Sequence, residues 1–230
     1  MMYGDLLNEW FDSRFLPGLE LITTYVDDVE RECKHSIETF NASDDGYEQQ
    51  VGLDEAGNEV MHWVKVHKGL SENAWCLPEI FEHYFPTLKR RAALAVLCGH
   101  MEHELNELCR EVESQLVVTV SFDDMKGQGV TRAALYLQKI GNVILDIGKE
   151  PKWKKMAEAF LLRNSVVHAG GRAEKQEVRE IVRRSKFLDL IEHTNEVHIL
   201  DGYLRDVVAN FTEVGRVIDE ALKTRFRIKR

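Results

Sequence analysis

Three residues some two thirds of the way along this 230-residue chain combine the types and spacing that could move protons and neutralise an oxyanion. They are Arg163, Asn164 and His168, in the run Leu161-Leu162-Arg163-Asn164-Ser165-Val166-Val167-His168-Ala169-Gly170-Gly171-Arg172. A guanidinium is a fixed positive charge whose donors match the oxygens of a phosphate or carboxylate. An imidazole exchanges a proton near neutral pH, and a neighbouring amide can orient both. Each residue also has an ordinary structural reading. A histidine near a helix C-terminus is a favourable dipole partner, an arginine at a helix edge is solvated, and a core amide is a satisfied hydrogen-bonding group. In a chain with nine histidines, the Arg-x4-His spacing alone decides nothing.

The elements that must position these residues can be read around them. Pro151 suits a first helical turn, where its missing N–H costs nothing, and Gly170-Gly171 is a stop signal, so a helix is expected over 151–169. A helical wheel places Trp153, Met156, Ala157, Phe160, Leu161 and Val167 on one apolar face, with Asn164 in its middle. Arg163 and His168 flank that face, roughly 140° apart at about 100° per residue. The C-terminal position favours a positive charge on His168.

The run from Leu161 to Arg172 resembles the motif of the HEPN superfamily (higher eukaryotes and prokaryotes nucleotide-binding domains). In that motif an Arg followed by a polar residue, usually Asn, precedes a His at the end of a helix. The run Asp124-Met125-Lys126-Gly127-Gln128-Gly129-Val130, leading into Ala133-Ala134-Leu135-Tyr136-Leu137, is similar to members found in bacterial defence systems. So is the downstream order of charged helix, short hairpin and closing helix. The likeness spans roughly 86–222. It implies a mainly α, up-and-down HEPN-like bundle over 86–224 with a small β-hairpin. Outside it, the residues themselves read as an acidic helical extension over 1–85 and a basic tail over 225–230.

The resemblance implies a metal-independent endoribonuclease without cofactor, in which the RNA 2′-OH attacks the adjacent phosphate and a 2′,3′-cyclic phosphate results. Arg163 would stabilise the charged phosphorus centre, His168 would move the proton, and Asn164 would fix their geometry. The site would be composite, formed by two motif helices of a homodimer and ringed by the RNA-binding residues Lys152, Lys155 and Arg172. The alternatives that stay open are a non-catalytic module binding RNA or nucleotides, a regulatory subunit of a defence system, and a toxin silenced by a cognate antitoxin. In one toxin subgroup a tyrosine stands two residues after the motif histidine. Here that position is Gly170, which departs from the pattern.

Composition bounds the remaining possibilities. With 44% hydrophobic and 30% charged residues the chain can bury a sizeable core. No apolar run approaches the length of a membrane span, and Met1–Phe15 has no basic-then-apolar leader pattern. The four cysteines are scattered without a Cys-x-x-Cys pair, as in a reducing cytoplasm. The net charge of −9 is unevenly spread. Residues 1–80 carry 5 Lys/Arg against 17 Asp/Glu, whereas residues 149–186 carry 11 against 5. A polyanion would meet the basic surface at the motif.

Other candidate sites are weaker. His100 and His103 could share a metal at i, i+3, but both fall on the outer side of a helix over 87–112, and no carboxylate pattern completes the set. The Lys126–Gly129 loop lacks the full phosphate-loop pattern and reads as a tight turn before a helix over 131–143. Glu102 and Glu104 border the apolar stripe and could steady an arginine. Elsewhere, helices are expected over 18–40, between Pro78 and Pro86, from Gly171 to Ser185 and after Asp201. A polar loop is expected over 41–58, β-structure over 59–67 and 117–122, and a hairpin from 187–191 and 197–200.

Overall fold

The computed structural model describes residues 7, 9–143 and 149–226; the tail at 227–230 lies outside the described residues. The chain is mostly helical, with two small antiparallel sheets. Helix α2 (Phe85–Ser114) is its centre, because two of its faces are apolar. The apolar stripe of Leu94, Cys98, Met101, Leu105, Leu108 and Val112, spaced three and four residues apart, is fully buried, and so are Ala93, Leu97 and Cys109 beside it. A helix buried this widely needs neighbours on several sides.

Helix α1 (Leu16–Ala42), led in by a π-helical turn over Phe11–Phe15, supplies the first of them. It runs antiparallel to α2. Cys33 reaches Pro86, Glu30 pairs with Arg90, Gly18 lies against His100, and Arg14 pairs with Glu104. Its buried stripe of Leu19, Val26 and Cys33, flanked by Ile22 and Val29, is the one the periodicity predicts. Trp10, Phe11 and Phe15 enter the same core as α2. The closing helix (Tyr203–Phe226) runs antiparallel to α1, with Arg205 at Asp27 and the Phe15 ring on Gly215.

Between α1 and α2 the chain forms strands β1 (Gly46–Leu53), β2 (Glu59–His67) and β3 (Leu70–Ser71). The expected strand at 59–67 is present, but the expected loop at 41–58 is corrected, since Gly46–Leu53 within it pairs with β2 from Gly46↔Lys65 to Leu53↔Glu59. Its turn is closed by the Asp54 carboxylate, which accepts the N–H groups of Ala56 and Asn58. The segment bracketed by Pro78 and Pro86 is a π-helical lead-in (Glu79–Tyr84) continuous with α2, because Pro86 sits in the first turn where no N–H is required.

Helix α3 (Gly129–Lys139) lies along the second half of α2. The β-structure expected at 117–122 does not form. Phe122 instead plugs the core edge-on to Tyr136, and its N–H donates to Glu113, so the segment turns inward and, among the described residues, pairs with no strand. Helix α4 (Pro151–Ala169) has the bounds that Pro151 and Gly170 predict, with the Glu150 carboxylate accepting the Lys152 N–H as its cap. Helix α5 (Gln176–Arg184), the hairpin β4 (Leu188–Ile191) and β5 (Glu196–Ile199), and helix α6 (Tyr203–Phe226) follow as expected. Leu204, Val208, Phe211, Val214, Ile218 and Leu222 of α6 are all buried.

Two buried histidines make the fold sensitive to acid. His67 sits between Phe40 and Phe81, 5.3 and 4.6 Å from their ring centroids, and burial holds its pKa below the ordinary value. Burial likewise lowers that of His198, against an upward pull from Glu79. The unfolded chain therefore binds more protons than the folded one as pH falls below about 6.5. The stability these groups contribute is complete above that pH and is lost on acidification. Thermal midpoints should fall between pH 7.5 and 5.5, and His67→Leu should flatten that slope. A midpoint independent of pH over this window contradicts the argument.

Candidate active site at the end of helix α4

Helix α4 is packed by α2, α6 and α5, so it buries more than one stripe. Its buried residues are Trp153, Met156, Ala159, Phe160, Leu162 and Ser165. The sequence expectation for its last turns is therefore corrected. Asn164 is exposed rather than set in the core, and Val167 is about half exposed. The physical reason is that α2 and the following turn cover the side carrying Leu162 and Ser165. The wheel face carrying Asn164 and Val167 is left open.

On that open end the motif residues take different states. The Arg163 guanidinium donates to Asn164 Oδ1 at 3.0 Å and to Glu102 Oε2 at 2.9 Å, and it lies 5.7 Å from the centroid of the Phe160 ring. Asn164 thus orients Arg163 from the exposed side and Glu102 from the α2 side. His168 is exposed and makes no side-chain hydrogen bond or ion pair among the described residues. The arrangement presents a held cation and a free imidazole on one helix end. Glu102 is the member that the sequence could not single out from Glu104. Glu104 instead faces Arg14, at 3.4 Å.

The turn after α4 is fixed from below by Arg91, a residue that sequence reasoning missed. Arg91 is buried, and it donates to the carbonyls of Gly170 at 3.2 Å and Val197 at 2.8 Å, with Glu196 at 3.7 Å. Burial lowers its pKa and Glu196 opposes the shift. Ser165 Oγ donates to the Arg172 carbonyl, Val197 N–H to Gly171 and Ala173 N–H to Asn195. The segment after the motif is thereby stitched to β5.

Both glycines of the turn are left-handed, but for different reasons. Gly170 has φ +61° with open space around it, whereas a Cβ on Gly171 (φ +84°) would stand 2.3 Å from the Arg91 guanidinium carbon. Gly170→Ala should cost about 1–2 kcal/mol of left-handed strain. Gly171→Ala adds a collision with a buried charge and should cost clearly more, about 3 kcal/mol or above. Equal losses for the two variants in urea denaturation would refute the packing argument.

The remaining predicted residues do not all meet at this end. Arg172 is exposed beside the turn, but Lys152 and Lys155 stand in the first turns of α4. At 1.5 Å per residue they lie roughly 20–24 Å along the helix from His168. A single chain does not gather them around one cleft. The Lys126–Gly129 loop is a turn, with Gly127 and Gly129 at positive φ, and Gly129 faces Glu102. Cys98 beneath the site is an inert thiol, its pKa pushed up to about 12 by burial against a downward pull from Arg163. Among the described residues, no three His, Cys, Asp or Glu side chains gather as metal ligands. His103 is exposed, and His100 packs on Gly18 with its Nε2 buried and unpartnered.

Compared with protein-family models, with curated proteins and with solved structures, the chain matches none.

Proposed function

We propose that this protein is an endoribonuclease of the HEPN type, acting without a metal ion as a toxin or phage-defence effector. The observation that carries the reading is the pairing at the exposed end of α4, where Arg163 is held by Glu102 and Asn164 while His168 is free. RNA supplies its own nucleophile. The 2′-oxygen loses its proton to an imidazole and attacks phosphorus. The bond to the 5′-oxygen breaks, and that oxygen takes a proton from an imidazolium. Arg163 neutralises the phosphoryl oxygens as negative charge builds on them. The products are a 2′,3′-cyclic phosphate and a 5′-hydroxyl.

Because Arg163 and His168 stand on different flanks of one helix, a two-fold pairing of motif helices supplies the second imidazole. In that homodimer Asn164, Val167 and the Gly170–Gly171 turn lie at the seam. Lys152, Lys155 and Arg172 are then contacts along a longer RNA. The Glu102–Arg163 ion pair also favours a second reading, in which the cation stays occupied and the module binds RNA or a partner such as an antitoxin without cleaving.

The deciding experiment incubates purified protein with total RNA in EDTA and determines the chemistry of the cut ends. Cyclic phosphate ends support the enzyme, and intact RNA supports the binding module. Mixing Arg163→Ala chains with His168→Ala chains tests the composite site, since only a shared cleft regains activity.

Glu102 acts in this mechanism as a positioning residue. Glu102→Ala should lower kcat by about 10- to 100-fold, the cost of a misplaced group. Glu102→Gln, which keeps an acceptor for the guanidinium, should retain most of it, with KM little changed. Full activity in Glu102→Ala removes Glu102 from the mechanism.

A further inference from the structure

The β1–β2 ribbon is poorly covered for a structure of its size. Its register divides the side chains between two faces. Tyr47, Gln49, His62 and Val64 share one face, which is covered only at its base. There Val64 is fully buried, and Asn73 donates to Gln49 Oε1 at 2.6 Å and to Tyr47 Oη at 3.4 Å. The other face carries Leu53, Met61 and Trp63, with Val51 added by the bulge between Gln50 and Gly52. These four are 64%, 45%, 51% and 59% exposed. A large apolar strip left in water marks an interaction site more often than chance.

The backbone narrows the kind of partner. Among the described residues no strand pairs with the outer edge of β1 along its eight residues. The outer edge of β2 is covered at its base, where β3 pairs with Val66 and His67 and the Glu72 carboxylate accepts the Lys65 N–H. A free edge of alternating N–H and C=O groups is a template for one more strand, and β1 contains neither proline nor lysine to block it.

Charge narrows it further. Asp44, Asp45, Glu48, Asp54, Glu55 and Glu59 lie in the ribbon and its flank, and no Lys or Arg occurs between Asp44 and Val60. Six carboxylates repel both a nucleic acid and a second copy of the same ribbon, and they attract a basic chain. We propose that the ribbon docks an extended, basic segment of a partner protein, which adds as a strand on the β1 edge and lays its apolar side chains on Trp63, Met61 and Leu53. This surface is independent of the ribonuclease reading, so either can fail alone.

The test uses the full chain and three nine-residue peptides: alternating Lys/Val, alternating Glu/Val and all-Lys. The Lys/Val peptide should bind at least about tenfold more tightly than the other two and slow hydrogen exchange at the β1 amides. Met61→Ser with Trp63→Ser should weaken binding without lowering the melting temperature, since both side chains are exposed. Glu48→Lys with Glu59→Lys should remove the preference for the basic peptide. Four results overturn the proposal. They are no binding by any peptide, equal binding of all-Lys or of Glu/Val, a ribbon variant that weakens binding of an RNA oligonucleotide, and self-association abolished by Trp63→Ser.

Discussion

Replacing Arg163 or His168 by alanine should, on the proposed mechanism, reduce RNA cleavage by at least about 100-fold while leaving the melting temperature nearly unchanged. The size follows from the proposed roles. A positioned acid or base contributes about 10²–10⁴, and a single donor aimed at developing negative charge about 10²–10³. The absence of a stability effect follows from the surroundings. The Arg163–Glu102 pair is partly solvated, with side-chain exposures of 22% and 29%, and such pairs contribute roughly 0–1 kcal/mol. Among the described residues His168 has no hydrogen-bond or ion-pair partner to lose. Asn164→Ala should behave the same way, because the residue is exposed and its side-chain hydrogen bond among the described residues is to Arg163. Wild-type cleavage by both the Arg163 and His168 variants excludes the ribonuclease reading. Unfolding of His168→Ala would mark that residue as structural.

The largest loss of stability is expected at Glu30→Ala. The Arg90 guanidinium donates to both oxygens of Glu30, at 2.7 to 3.1 Å, and to the Ile199 carbonyl at 3.2 Å. Both side chains are at most 10% exposed. Removing the carboxylate leaves a buried cation with one neutral acceptor, which costs about 3–5 kcal/mol. Against a typical domain stability of about 5–15 kcal/mol this is a large fraction. Asp27→Ala removes a second link between α1 and the rest, the exposed pair with Arg205, and should cost less than about 1 kcal/mol. Urea denaturation of the two variants side by side checks the contrast. Similar midpoints would show that water reaches Arg90.

Much of the helical framework is legible because single residues and simple periods specify it. Pro151 and Gly170 bound α4, and a seven-residue rhythm of large apolar residues predicts the buried sides of α2 and α6. Asn164 is misread because a wheel assumes one buried stripe, whereas α4 has neighbours on more than one side and hides Leu162 and Ser165. Strand β1 is invisible because both of its faces are largely in water, so Gln49, Gln50 and Gly52 break the alternation that a half-buried strand shows. The β-branched run before Phe122 has strand propensity but, among the described residues, pairs with no strand. The pairing of Glu102 with Arg163 joins residues 61 apart, and that of Glu30 with Arg90 residues 60 apart. Such choices among carboxylates are made by packing, and local sequence does not encode them.

The Arg91 support beneath the Gly170–Gly171 turn bears on the entropy of the proposed reaction. A histidine on a mobile loop would have to be immobilised as RNA arrives, and fixing each backbone residue costs about 1–2 kcal/mol. Here the segment after His168 is already fastened, through Gly170 and Val197 to Arg91, through Gly171 to Val197, and through Ala173 to Asn195. That ordering is met during folding, from the same core that holds α2. The imidazole keeps only its own side-chain rotation, on a backbone settled before any substrate is bound.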